Sequence, residues 1–424
     1  MKLSYRRTFC VGFAFLSICA FWQLYDSIIP LMLKNSFHLK ETVSGAIMAI
    51  DNVLALFLLP LLGALSDRTH TRLGRRMPFI VVGTLLSAVF AVIIPIAALR
   101  QDFVLFFVSL GLVLLSMGLY RSPAVALMPD VTPKPLRSKA NAVINLMGAA
   151  GSVFTLVMVT FLVKEAAEGQ LTDYRPVFTA VALLMVACVV ILLLTVRENR
   201  MAAEVPVEEE EKKEEASGVH MTKDVRKSLI FLLLSVFFWF TAYNAVTTAY
   251  TRYVEVMWGV TGGGFAGGLM VGTVAAVISY LPIGILSSRF GRKRMIQFGI
   301  LCMTAAYAVA FTLTGYNAVM YVLLVVIGIG WAAINVNSYP MVVEMSHGSD
   351  TGRYTGFYYT FSMAAQVLTP VLSGFLLEHV GYQTLFPYAV LFSVLSFVTM
   401  WFVRHGDVKP VKKADLLENF DVDD

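Results

Sequence analysis

Apolar residues run along this chain in long blocks, separated by short breaks that are charged or rich in Pro and Gly. Twelve blocks reach the ~20 residues an α-helix needs to cross a hydrocarbon core. They predict helices over 8–33, 42–65, 78–99, 103–128, 139–163 and 176–196, then over 228–250, 264–287, 294–314, 318–342, 355–378 and 382–403. Between the two sets lies a polar stretch with the acidic run Glu208–Glu211 followed by Lys212, Lys213, Glu214 and Glu215, read as a solvated linker. The expected organisation is a first six-helix bundle (1–196), a linker (197–227), a second bundle (228–404) and a tail (405–424). The fold class is all-α, a polytopic membrane protein.

Composition agrees with the pattern. The chain is 58% hydrophobic and 14% charged, with a mean hydropathy of +0.73. A soluble domain carries about 25% charged residues, so a soluble enzyme is excluded. The apolar run after the opening Met-Lys-Leu-Ser-Tyr-Arg-Arg is too long for a signal-peptide core and reads as a retained first span. With the N-terminus inside, 26 of the 33 Lys and Arg residues fall in cytoplasmic segments, six outside and Arg121 within a span. The positive-inside rule then places both termini in the cytoplasm and the protein in the cell membrane. Cys10, Cys19, Cys188 and Cys302 all lie in apolar blocks and suggest no disulfide framework.

The halves repeat. The loop after the second span reads G-A-L-S-D-R-T-H-T-R-L-G-R-R from Gly63 to Arg76, and the loop after the eighth reads G-I-L-S-S-R-F-G-R-K-R from Gly284 to Arg294. The segment from Pro123 to Asp130, followed by Arg137, has its counterpart in Tyr339 to Glu344, followed by Arg353. Two halves with matching landmarks form a parallel repeat, an arrangement that puts substrate sites near the membrane midplane.

These landmarks resemble the Major Facilitator Superfamily over essentially the whole chain. Asp67-Arg68 with Gly74-Arg75-Arg76 is similar to its loop 2–3 motif, and the spacing from Ser66 to Pro78 resembles the loop of sucrose carriers and solute carrier family 45. Asp130 with Arg137 resembles the acid-to-arginine pair of sugar porters. The more distant glycoside–cation symporters carry carboxylates along span two, where this chain has Ala55 and Leu59, which argues against a melibiose-type sodium site. The resemblance implies alternating access, with a cytoplasmic gate built from Gly63, Asp67, Arg68, Gly74, Arg75, Arg76, Asp130, Arg137, Arg289, Glu344 and Arg353. Read from the residues alone, the arginines either bridge carboxylates and helix ends or merely anchor topology at the lipid surface. Ser288 stands where the first copy has Asp67, so the latch is expected to be asymmetric.

An ionisable group at membrane depth is expensive and marks function by default. Asp26, Asp51 and Arg121 are the candidates. Fractional position puts both aspartates in the outer half and Arg121 about ten Å deeper, where it would grip another part of the substrate or meet a carboxylate in only one conformation. Around them lie groups suited to a hydroxyl-rich ligand. Trp22, Gln23 and Asn52 are in the first two spans, Asn141 and Asn145 in the fifth, and Tyr243 and Asn244 in the seventh. Trp331 and Asn335 follow in the tenth and Tyr358, Tyr359 and Gln366 in the eleventh. Each has a plainer reading, as an interfacial anchor for the aromatics or helix–helix glue for the amides. A buried carboxyl can load a proton on one side and release it on the other, so Asp51, with Asp26, is the expected coupling pair. Sodium would need more converging oxygens than Asp51 and Asn52 supply.

Other chemistry is missing. The run from Gly262 to Gly267 fits G-x-G-x-x-G by letter but opens a span, and there is no G-K-[ST] phosphate loop. All six histidines fall in loops and form no H-x-x-x-H pair. No metal, cofactor or nucleic acid is expected. The reading is a monomeric secondary transporter that moves a small sugar or glycoside across the bilayer by proton-coupled symport. The alternatives are efflux of amphipathic compounds and a non-transporting sensor.

Overall fold

The computed structural model describes residues 4–132, 137–164, 167, 170–203, 223–343, 345 and 351–407. Within them the chain forms helices and no strand. The first six are α1 (Tyr5–Asn35), α2 (Glu41–Asp67), α3 (Met77–Leu99), α4 (Phe103–Asp130), α5 (Arg137–Leu162) and α6 (Arg175–Thr195). A short α7 (Glu198–Ala203) follows, then α8 (Lys223–Trp258), α9 (Ala266–Phe290), α10 (Arg292–Thr312), α11 (Ala318–Val343), α12 (Thr351–His379) and α13 (Leu385–Trp401). Eleven of the long helices are apolar enough among the described residues to cross a membrane, and α2 completes the set of twelve.

Local chemistry sets the helix starts. Pro78 and Pro176 sit in the first turns of α3 and α6, where a missing N–H costs nothing. The Asp102 carboxylate caps α4 by accepting from the Leu105 N–H at 3.0 Å. Before α6, hydrogen bonds from the Arg175 guanidinium hold the Asp173 carboxyl below the ordinary carboxylate range. Outward-facing residues are apolar, with Val104, Phe161 and Leu194 each more than 70% exposed, as suits lipid rather than water.

Two expectations need correction. Arg252 does not lie in an outer loop: α8 continues past it to Trp258, the side chain is 2% exposed, and its Nη2 donates to the Thr248 carbonyl at 3.1 Å. A charged residue that bonds its own helix does not end that helix. Nor is the start of the linker solvated, since Glu198 and Met201 of α7 are 2% and 8% exposed. The acidic run Glu208–Glu215, Glu344 and the tail beyond Asp407 lie outside the described residues, as do the side chains of Asp67, Arg137, Asn141, Ser288 and Arg353.

Contacts divide the chain into two units, Met1–Pro206 with Gly259–Met270, and Val207–Trp258 with Val271–Asp424. In the first, α1 packs on α5 and α6, and α3 on α4 and α6. In the second, α8 packs on α12 and α13, and α10 on α11 and α13. The pairings are the same, so the repeat seen in the loops extends to the packing. It reaches single residues: a Cβ on Gly83 of α3 would meet Tyr120 of α4 at 2.8 Å, and one on Gly299 of α10 would meet the Gly330 carbonyl of α11 at 2.5 Å. Only glycine lets these helices approach so closely. The glycine run fits no dinucleotide. It places Gly263 against the end of α5, where its N–H donates to the Val163 carbonyl at 3.2 Å.

Candidate functional site

In the first unit the charged groups meet. The Arg121 guanidinium of α4 lies over the Trp22 indole of α1, 5.6 Å from the ring centroid. Asp26, one turn beyond Trp22, and Asp51 of α2 are within electrostatic range of each other and of Arg121. The Asn52 amide donates to Asp51 Oδ1 at 2.8 Å. All five residues are half-buried. In this conformation Arg121 acts on the carboxylates, as in the second alternative, across the depth that residue counting puts between them. Helical side chains lean toward their own N-terminus, and α1 and α4, as first and fourth spans, run in opposite directions. Trp22 and Arg121 lean toward one another, and a long side chain closes the gap that counting backbone residues leaves open.

Not every predicted residue joins this group. The Gln23 amide donates within its own helix to Ser27 Oγ at 3.0 Å. Asn145 is exposed on α5, with no hydrogen bond to Arg121 among the described residues. Sequence reasoning missed Tyr25, buried beside Asp26. A tyrosine in an apolar span reads as core, and nothing in its spacing said otherwise.

The second unit supplies aromatic surface and amides. Tyr243 of α8 stacks with Trp331 of α11 at 6.1 Å and 29°, and Tyr280 of α9 meets the same indole edge-on at 6.0 Å. Tyr280 was not among the predicted residues. Asn335, one turn beyond Trp331, is half-buried, and the Asn244 side-chain nitrogen is buried with no hydrogen-bond partner among the described residues. On α12, Tyr358 bonds Ser338 at 3.1 Å, the Gln366 amide donates to the Ser362 carbonyl at 3.3 Å, and Tyr359 is 52% exposed. Tyr358 and Gln366 thus bond within the protein, while Tyr359 stays exposed.

The loop after α2 is an ionic knot. Asp130, at the end of α4, takes Arg75 Nη2 on one oxygen and Arg76 Nε on the other, both at 2.8 Å. Arg76 also bonds Ser66 and, at 3.4 Å, the Gly63 carbonyl. Glu198 accepts from the backbone N–H groups of Arg75, Arg76 and Met77 at 2.9–3.0 Å, placing a carboxylate on the N-terminus of α3. Gly74, with φ +122°, passes where a side chain would collide with that carboxylate. Arg68 and Arg289 stay exposed. In the second unit Asp407 takes the same place: its Oδ1 accepts from the Lys293 N–H at 3.1 Å at the start of α10, beside Gly291. Each bundle thus ties its third helix with an acid that follows its sixth. The sequence signal was an acid just past each last span, Glu198 and Asp407.

Burial separates the two ties. Glu198→Ala leaves two buried N–H groups and one part-buried one without their acceptor, an expected cost of about 2–3 kcal/mol on the scale of hydrogen bonds to a charged group. Asp407 is exposed, so Asp407→Ala should change little. Melting curves of the two purified variants check this: equal losses would remove the special role of Glu198.

The profile of the Major Facilitator Superfamily matches residues 11–279 and 254–419, and the chain belongs to that superfamily. It is a multi-pass membrane transporter and not an enzyme. Multidrug resistance protein 2 of Bacillus subtilis (strain 168) is 24% identical over 393 residues, covering 90% of this chain and 92% of that protein. Sucrose transport protein SUC3 of Arabidopsis thaliana is 24% identical over 180 residues, but these cover 38% of this chain and 29% of that one. Among solved structures, a mutant of the nucleoside transporter NupG aligns with a TM-score of 0.70 at 13% identity, over 94% of this chain and all of its own. The superfamily transporter FucP in its outward conformation aligns with a TM-score of 0.59 at 16% identity, over 95% of this chain and 100% of its own. At such identities the structures establish the fold alone.

Proposed function

We propose that this transporter takes up a small sugar or glycoside across the cell membrane by proton-coupled symport, with both termini in the cytoplasm. The observation that carries the proposal is the group of Asp26, Asp51 and Arg121 beside Trp22. Two carboxyls facing one guanidinium leave one negative charge uncompensated, and a single proton removes it. That is the stoichiometry a proton-coupled site needs, and it calls for no multi-oxygen sodium cage. The shelf of Tyr243, Trp331 and Tyr280, with Asn335 and Asn244 near it in sequence, suits the C–H face and the hydroxyls of a sugar ring. Around Asp130, the knot with Arg75 and Arg76 serves as the cytoplasmic latch.

One observation favours a second reading. The same aromatic shelf suits an amphipathic compound, and the multidrug resistance protein matches along almost the full chain. Efflux of such compounds is the alternative. A thermal-shift screen of the purified protein against sugars, glycosides, nucleosides and amphipathic drugs separates the two. Stabilisation by sugars or glycosides and not by drugs is expected, and the reverse pattern would replace uptake with efflux.

A further inference from the structure

Tyr25 has no part in the readings above, yet it is placed with unusual care. Its side chain is 2% exposed, its ring meets Trp22 edge-on at 5.3 Å and 80°, and it tilts against Phe21 at 6.2 Å. Those contacts hold the ring. The hydroxyl oxygen is buried with no hydrogen-bond partner among the described residues, and it lies within electrostatic range of both Asp26 and Asp51. A buried O–H without an acceptor is costly enough to need a reason. Around it, the charged groups are Asp26 on its own helix and Asp51 on α2, with Arg121 of α4 facing both. Of the other helices packed on α1, α5 and α6 carry charged residues only in their first turns, Arg137, Lys139 and Arg175.

We infer that the Tyr25 hydroxyl is a positioning bridge between the two carboxyls when they hold one proton between them. A hydroxyl is both donor and acceptor. It can accept from the protonated carboxyl and donate to the ionised one. Moving both hydrogens along that line passes the proton from one aspartate to the other and leaves the tyrosine neutral. The fully ionised pair has no O–H to donate to the bridge, and the fully protonated pair offers it only a neutral carbonyl acceptor, so the bridge is strongest when one carboxyl is charged. The hydroxyl therefore widens the pH range over which the pair holds a single proton. This inference depends on Asp26 and Asp51 being the coupling pair, and it adds a residue that neither the motifs nor the spacing single out.

The test needs no substrate, because the probe is the proton. Intrinsic tryptophan fluorescence of the purified full chain is titrated with pH, Trp22 being the reporter in contact with the Tyr25 ring. Steps that vanish in the Asp26→Asn/Asp51→Asn double variant belong to the pair, whose two midpoints are properties of the pair and not of either residue. Tyr25→Phe keeps the ring and its packing. It should bring the two midpoints closer by about one pH unit, the size expected for one hydrogen bond to a charged group. Phe21→Leu disturbs the same packing but keeps the hydroxyl, and should lower the melting temperature without narrowing the interval. An unchanged interval in Tyr25→Phe, or equal narrowing in Phe21→Leu, would overturn the bridge. A parent curve identical to that of the double variant would overturn the coupling pair as well.

Discussion

Asp51→Asn is expected to abolish pH-driven accumulation while leaving exchange of labelled substrate across equilibrated vesicles intact. The substitution is nearly isosteric, and the Asn52 amide, now 2.8 Å from Asp51 Oδ1, keeps a carbonyl oxygen to donate to. What changes is charge: an amide imitates the protonated carboxyl and cannot release its proton. The transporter can then cycle loaded in both directions but cannot couple that cycle to a gradient. Asp26→Asn should add a loss of binding if Asp26, which shares a helix face with Trp22, holds substrate hydroxyls as proposed. Counterflow and ΔpH-driven uptake in proteoliposomes separate the two effects. Accumulation that persists in Asp51→Asn would move the coupling site elsewhere.

The second large effect belongs to Arg121. Arg121→Ala removes the cation that acts on two half-buried carboxyls and uncovers the Trp22 face it stacks on. Ligand-induced thermal stabilisation should disappear, with affinity falling at least about 100-fold, as for loss of a charge-assisted hydrogen-bond pair. Membrane insertion should survive, since Arg121 ties no helix end. Arg121→Lys keeps the charge but not the planar fork, and should recover part of the stabilisation and not all of it. A full thermal shift in Arg121→Ala, with the screening hit that stabilises the parent, would remove Arg121 from the site.

Much of this was legible in the chain because lipid simplifies the code. A span must be long and apolar, so the predicted 103–128 and 318–342 differ by two residues or fewer at either end from α4 and α11. The intramembrane charges could be found for the same reason. What sequence could not give was direction. Counting residues left two readings of Arg121 open because it carries no information on the lean of side chains on antiparallel helices. Tyr25 and Tyr280 were invisible, since tyrosine in a span carries no mark that tells a packing ring from a working hydroxyl. Glu198 was lost to the linker because a charged residue just past a span reads as solvated. Only its three backbone partners reveal it as the cap of α3.

The most direct test of proton-coupled uptake is proton movement itself. Proteoliposomes holding the wild-type chain and an entrapped pH dye, with no imposed gradient and no sodium, are given the sugar or glycoside that stabilises the protein best. Proton symport predicts that the lumen acidifies as substrate enters, at a rate that saturates with substrate and is absent in Asp51→Asn. Substrate entry without acidification, or entry only when sodium is added, would contradict it.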